Sequence, residues 1–207
     1  INHDLSDAEA DQVRESLLEA ANDRCLKGSC AGYTLITNPH DIKVQNWVKS
    51  NADHDFVDSR IGQVTPLPEQ ATDEELLKIF EDPRPRNIRK AIKSGTSCRR
   101  SKEWSDMQFL YETHRENIEA IGGQPKSESF FRAVSELVAK ERYNLYVAEI
   151  GGEKVAAMLV FYGGETVEYF TPATVSKYRN LQPSSLLIFE AMKDAIEKEY
   201  RFWNWGG

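Results

Sequence analysis

Two Gly-Gly dipeptides, Gly151-Gly152 and Gly163-Gly164, separate three β-rich runs, and they constrain the fold more than any other feature. The runs are Leu145 to Ile150, the apolar Lys154 to Tyr162, and Thr166 to Thr171. A two-residue glycine loop supplies the positive φ that a tight hairpin needs, so the three runs read as an antiparallel meander. Pro183 then takes a first helical position, and Leu187, Ile188, Met192, Ala195 and Ile196 line the helix behind it. Arg201 to Trp205 closes as a strand. A strand–helix–strand connection of this kind sets the last strand beside a parallel neighbour. The sheet is therefore mixed, mostly antiparallel and flanked by helices.

Upstream, three S/T-x-x-E/Q patterns mark helix starts: Ser6 to Glu9, Thr72 to Glu75 and Ser105 to Gln108. The first opens a helix to about Leu26, and the second carries Leu76, Leu77 and Phe80 inward. The third carries Met107, Leu110, Tyr111, His114, Ile118 and Ile121 at helical spacing. A further helix places Phe130, Phe131, Val134, Leu137 and Val138 inward, and a helical turn is expected around Val44 to Val48. Tyr33 to Thr37 reads as a short strand stopped by Asn38-Pro39, Phe56 to Thr65 as β-like, and Thr96 to Arg100 as a short strand.

The 207 residues suffice for one large or two small domains with a real core. No apolar run approaches the roughly 20 residues of a membrane span. The start lacks a signal-peptide pattern. Cys25, Cys30 and Cys98 form no disulfide or metal framework, which makes a reduced, cytoplasmic setting the expectation.

Charge is distributed unevenly. The chain carries a formal net charge of -7. Yet Arg84, Arg86, Arg89, Lys90, Lys93, Arg99, Arg100 and Lys102 follow one another with no Asp or Glu among them. Such a field asks for an anionic partner, or else it is a solvated face beside acidic residues such as Glu81 and Asp82. Helical spacing sets Arg86, Arg89, Lys90 and Lys93 near one face.

The element order from Thr96 is similar to that of the GNAT acyltransferase fold. The stretch Arg86-Asn87-Ile88-Arg89-Lys90-Ala91-Ile92-Lys93-Ser94-Gly95 resembles the R-x-I-R-K-A-x-K-x-G signature of FemAB-like proteins, which are tandem-GNAT acyl- and aminoacyltransferases. Phe109 to His114, Gly123-Gln124-Pro125 and Phe130-Phe131 resemble that family's helical pair, and Tyr178 to Ser184 with Phe202 to Gly207 its C-terminal lobe. The resemblance implies a partial first GNAT-like lobe over 1–82, a basic linking helix over 83–95 and a second lobe over 96–207. Family members run longer at both ends, so it implies a chain beginning inside the first lobe and stopping just after a strand of the second.

The implied function is transfer of an acyl or aminoacyl group to an amine. The donor is a phosphate-bearing co-substrate, acyl-CoA or aminoacyl-tRNA, with no tightly bound cofactor and no metal. The acceptor stays open between a small molecule and a cell-envelope amine. tRNA enters as a carrier, and no DNA partner is expected. Donor phosphates fall to Arg86, Arg89, Lys90, Lys93, Arg179 and Ser184, because Arg179 and Ser184 flank a helix start with free N–H groups. His114, Tyr178 and Glu168 are the candidates for proton handling, with Tyr111 and Tyr169 in the acceptor cleft. His114 equally fits a hydrogen-bonded core position, and Trp203 and Trp205 fit core better than a ligand box. Acetyl-CoA enzymes of the wider group use a glycine-bearing pyrophosphate turn. Here Arg179-Asn180-Leu181-Gln182-Pro183-Ser184 has no glycine. The rival readings are a non-catalytic polyanion- or RNA-binding module and an inactive GNAT-like domain.

Overall fold

The computed structural model describes residues 5–30, 32–37, 41–58 and 62–206. The chain divides into two compact units, Ile1–Ser59 and Arg60–Gly207. In the first, α1 (Asp7–Lys27) opens on the expected capping box: Ser6 accepts from the Glu9 N–H, and the Glu9 side chain returns to the Ser6 N–H. The turn expected at Val44 to Val48 is a full helix, α2 (Ile42–Asn51), capped by Asp41.

The strand expected at Tyr33 to Thr37 does not form. Among the described residues no partner strand pairs with it, and a lone strand leaves its backbone groups to water. Tyr33, Leu35 and Ile36 are exposed. The Asn38-Pro39 stop lies outside the described residues. Of the β-like run from Phe56, residues 59–61 lie outside the described residues; among the described ones its end forms a strand, β1 (Val64–Pro66).

The second unit is a three-layer sandwich around one six-stranded sheet. After β1 come α3 (Asp73–Ile79), α4 (Arg84–Lys93), β2 (Ser97–Ser101), α5 (Trp104–Glu119), α6 (Glu128–Leu137), β3 (Tyr143–Ile150), β4 (Glu153–Gly163), β5 (Thr166–Thr174), α7 (Pro183–Glu197) and β6 (Phe202–Asn204). The strand order is β1-β6-β5-β4-β3-β2. Among the described residues only β5 and β6 pair in parallel, as the crossover requires. Gly151 and Gly152 both take positive φ, 59° and 84°, and close a two-residue hairpin with Ile150 opposite Glu153. The second turn is shifted by one residue from the expectation. Gly163 pairs with Thr166, so the loop is Gly164-Glu165.

Alternation along the strands feeds two cores. On one face Tyr146, Met158, Val160, Val167 and Trp203 pack under α7, with α3 and α4 beside it. On the other, Tyr143, Leu145, Leu159 and Ala173 pack under Met107, Leu110, Phe131 and Val134 of α5 and α6. α7 is buried on nearly every side, which explains its long apolar run. Ile121 and Leu137, read as inward, are 77% and 81% exposed because each lies at the end of its helix.

The third capping box is also absent. α5 starts two residues earlier than a cap at Ser105 would set it, at Trp104, and no side chain caps its start. Asp106 instead turns inward to Arg99, Ser101 and Lys154. Among the described residues no helix is long and apolar enough to cross a membrane, and no His/Cys/Asp/Glu group is arranged to hold a metal ion.

Candidate active site at the splayed parallel strands

The site begins where β6 leaves β5. The two strands pair from Thr166–Phe202 to Glu168–Asn204 and no further. Past that point the Trp205 N–H donates to the Gln63 carbonyl at 2.8 Å, and its indole N–H to Thr65 Oγ1 at 2.9 Å. The chain thus follows β1 away from β5. β5 continues beside β4 to Thr174, with a bulge at Phe170 between Leu159 and Val160 of β4. A bulge bends its strand and increases the local twist. The stretch 169–174 is left with one open edge.

A cleft of about 330 Å³ lies along that edge. β5 lines it with Tyr169, Pro172, Ala173 and Thr174, and α5 contributes Asn117. The 3₁₀ turn Ser176–Leu181 and the start of α7 supply Arg179, Gln182, Pro183 and Ser184. No side chain caps the first turn of α7, so its positive end faces the cleft. Arg179 donates to Asn117 Oδ1. The Asn117 amide N–H₂ donates to the carbonyls of Thr113 and Thr174, which fixes the guanidinium's anchor between α5 and β5. The Ser184 and Thr174 hydroxyls share a hydrogen bond.

Gln182 carries the turn. It adopts φ 61° and ψ 37°, the left-handed region that glycine favours, and its side-chain amide donates to the Arg179 carbonyl at 3.1 Å. The glycine conformation exists here without the glycine. Tyr169 sits between Trp203 and Trp205, with ring centroids 6.3 and 5.7 Å away. Burial raises its phenol, against the opposing charge of Arg84, so the hydroxyl stays protonated at neutral pH.

Of the residues expected at a site, Arg179, Ser184 and Tyr169 converge on this cleft. The others stand elsewhere. His114 is buried, and its Nε2 accepts from the Lys126 N–H at 3.3 Å. Burial first, then the Lys126 charge, lowers its pKa, which keeps the ring neutral and the acceptor nitrogen bare. Tyr111 tilts against Phe131 with Arg115 over its ring. The Tyr178 hydroxyl donates to Glu153 at 2.6 Å. Glu168 accepts from the Asn204 amide at 2.8 Å, and burial raises its carboxyl.

Arg86, Arg89, Lys90 and Lys93 share the exposed side of α4, opposite the buried Ile88 and Ala91. Only a long contact from Arg89 to Glu74, at 4.0 Å, is seen for this group among the described residues. α4 packs on α7 and touches the Ser176–Leu181 turn, which carries Arg179.

The rest of the basic run is different. Arg99 pairs with Asp106 and Glu149, Arg100 with Asp194, and Lys102 donates to the carbonyls of Lys140 and Tyr143. A second depression of about 430 Å³ is lined by these residues. Its cations are already committed to these partners.

Sequence reasoning missed Asn117 and Gln182. Asn117 follows His114 by three on the inward stripe of α5, and a polar residue at such a position was the available signal. Nothing local announces the left-handed turn at Gln182.

A mixed sheet with a splayed parallel pair, opening onto a helix N-terminus, defines an acyltransferase-type scaffold. Residues 84–207 match the acetyltransferase (GNAT) domain model, and the chain belongs to that family. Among solved structures it is similar to FemX, at 15% identity with a TM-score of 0.72, covering 95% of this chain and 68% of that one. It is also similar to L-PGS from Bacillus licheniformis, at 14% identity with a TM-score of 0.50, covering 70% of this chain and 44% of that one. At these identities the likeness is one of fold. No curated protein sequence matches.

Proposed function

We propose that this protein transfers an acyl or aminoacyl group from a phosphate-bearing donor to an amine in the splayed cleft. The observation that carries the reading is the convergence of an open β5 edge, the uncapped start of α7 and Arg179 on one cavity. An extended donor arm fits along an open strand edge, where main-chain groups serve as its partners. The donor's phosphate then meets the α7 N-terminus, with Arg179 and the Ser184 hydroxyl beside it. The exposed cations of α4 extend the same attraction to a larger donor such as aminoacyl-tRNA.

In the transfer, the free amine attacks the acyl carbonyl carbon. A C–N bond forms, and the C–S or C–O bond to the donor breaks. Tyr169, which lines the cleft with its phenol protonated, passes its proton to the leaving sulfur or oxygen and recovers one from solvent water. His114 has its acceptor nitrogen committed, so the proton of the attacking amine goes to solvent water.

Calorimetric titration with acetyl-CoA and with an aminoacyl-tRNA tests this, on the wild type and on Arg179→Ala. Binding of at least one donor should saturate and weaken roughly ten-fold in the variant, the loss of one exposed charge-assisted contact. Acetyl-CoA binding that persists as salt rises from about 50 to 200 mM marks a small donor in the cleft. Binding confined to the tRNA, and falling steeply over that range, marks the polynucleotide donor. Polynucleotide binding that is unaffected by acylation, with no transfer to any amine, establishes the non-catalytic module instead. Failure of both donors to bind refutes the proposal.

A further inference from the structure

Cys25 and Cys30, five residues apart in sequence, meet at the C-terminal end of α1. The helix closes as its chain reverses. The Gly28 N–H donates to the Arg24 carbonyl at 2.9 Å, Ser29 takes a left-handed φ of 49°, and the Cys30 N–H donates back to the Cys25 carbonyl at 3.0 Å. This six-to-one closure brings together the side chains of the residues it joins. In most proteins that contact is apolar, and here it is a pair of thiols.

The Cys25 thiol donates to the Cys30 carbonyl across 3.7 Å. Cys30 Sγ lies back over the last turn, so that a Cβ at Gly28 would stand only 3.3 Å from it. Both thiols are free; Cys25 is half-buried and Cys30 exposed. The backbone bond from Cys30 to Cys25 and the thiol contact to the Cys30 carbonyl hold the two residues together on one turn. A disulfide spans α-carbons roughly 4.4–6.8 Å apart.

We propose that Cys25 and Cys30 are a modification site, a dithiol that a low-molecular-weight disulfide oxidises to an intramolecular bridge. The exposed Cys30 thiolate attacks the disulfide R–S–S–R, forming Cys30–S–S–R and releasing one RS⁻. The Cys25 thiol then gives its proton to water and attacks Cys30 Sγ. The Cys25–Cys30 bond forms and the second RS⁻ leaves. Two protein thiols lose two electrons in all, and one R–S–S–R becomes two thiols. Burial first, then the neighbouring thiol, raises the Cys25 thiol, which is why the exposed partner attacks first. An exposed bridge over so short a loop is readily reduced again, so the site is reversible.

Cys98 takes no part. It lies in the other unit, and burial with the charges of Glu190 and Asp194 pushes its thiol up to about 12.

The test is incubation of the whole chain with oxidised glutathione, followed by intact mass, peptide mapping and a thiol count under denaturing conditions. The wild type should lose two of its three thiols and two hydrogens of mass, with Cys25 linked to Cys30 and no glutathione retained. Cys25→Ser should stop at a stable adduct of one glutathione on Cys30, and Cys98→Ser should behave as the wild type. A wild type that keeps glutathione on Cys30 as stably as Cys25→Ser does overturns the proposal, as does a bridge to Cys98 or a full thiol count.

Discussion

Asp106→Asn should cost the second unit about 3 kcal/mol. The Asp106 side chain is 4% exposed and accepts two bonds from the Arg99 guanidinium, at 2.7 and 2.9 Å, and one from Ser101 Oγ at 2.6 Å. The Lys154 ammonium lies 2.6 Å from the same carboxylate. Charge-assisted bonds contribute roughly 1.5–3 kcal/mol each, and breaking a buried pair from one side costs roughly 3–5. Asparagine keeps one acceptor oxygen but turns an N–H₂ toward cationic donors. Arg99 is 41% exposed and retains Glu149 at 2.8 Å, so its loss is softened by water and a second partner. The lower end of the range follows, a fall in Tm of roughly 6–12 °C. Arg99, Ser101 and Lys154 hold the Asp106 carboxyl below its ordinary value. The sign is that of a depressed acid: its stabilisation is complete above the unfolded carboxylate value of about 3.9 and is lost as pH falls below it. Urea unfolding of wild type and variant at pH 7 and pH 3 measures both effects. A loss under about 1 kcal/mol at pH 7, or a difference as large at pH 3, would refute the reasoning.

Tyr146→Phe removes a buried hydroxyl that donates to Asp194 at 2.7 Å and stands 3.2 Å from the Tyr162 hydroxyl, and it should cost about 1–3 kcal/mol in urea unfolding; a variant as stable as the wild type contradicts the network. His114 has a lowered pKa in the folded chain, so its contribution is present above about 6.5 and is lost as pH falls further. His114→Gln should therefore flatten the decline in Tm between pH 7 and pH 5, and an unchanged profile would show that another group titrates. Gln182→Gly exchanges a left-handed non-glycine residue, strained by about 1–2 kcal/mol, for one at ease there. Thermal unfolding should show a stability no lower than wild type, and a large loss would mean that the bond to the Arg179 carbonyl holds the turn.

The sheet was readable because its signals are local. Two glycines with positive φ make one hairpin whatever surrounds them, and Pro183 opens a helix by the geometry of its own ring. The capping boxes at Ser6 and Thr72 are equally local, and both form. The same pattern at Ser105 failed because tertiary contacts outweigh a cap. Asp106 binds Arg99 and Lys154 from within the first turn of α5, so that turn starts earlier. The run at Tyr33 to Thr37 has strand composition, but a strand exists only with a partner, and composition does not supply one.

The basic run shows why the site was harder to read than the fold. In sequence it is a single block of one sign, yet the fold divides it at Gly95. The Arg99 partner Glu149 lies 50 residues away along the chain, and Arg100 meets Asp194 from α7 only because the sheet and its crossover bring them together. The α4 face keeps only the long Arg89–Glu74 contact, and α4 touches the turn that carries Arg179. The cleft itself has no linear signature, since it is the place where β6 stops pairing with β5. That departure is set by Trp205 binding back to Gln63 and Thr65, more than a hundred residues earlier, and by one extra residue in β5. Gln182 completes the case. A missing glycine does not exclude a left-handed turn: Gln182 adopts that backbone, with its side-chain amide bonded to the Arg179 carbonyl. That turn is thus a property of the folded loop, which residue identity alone does not reveal.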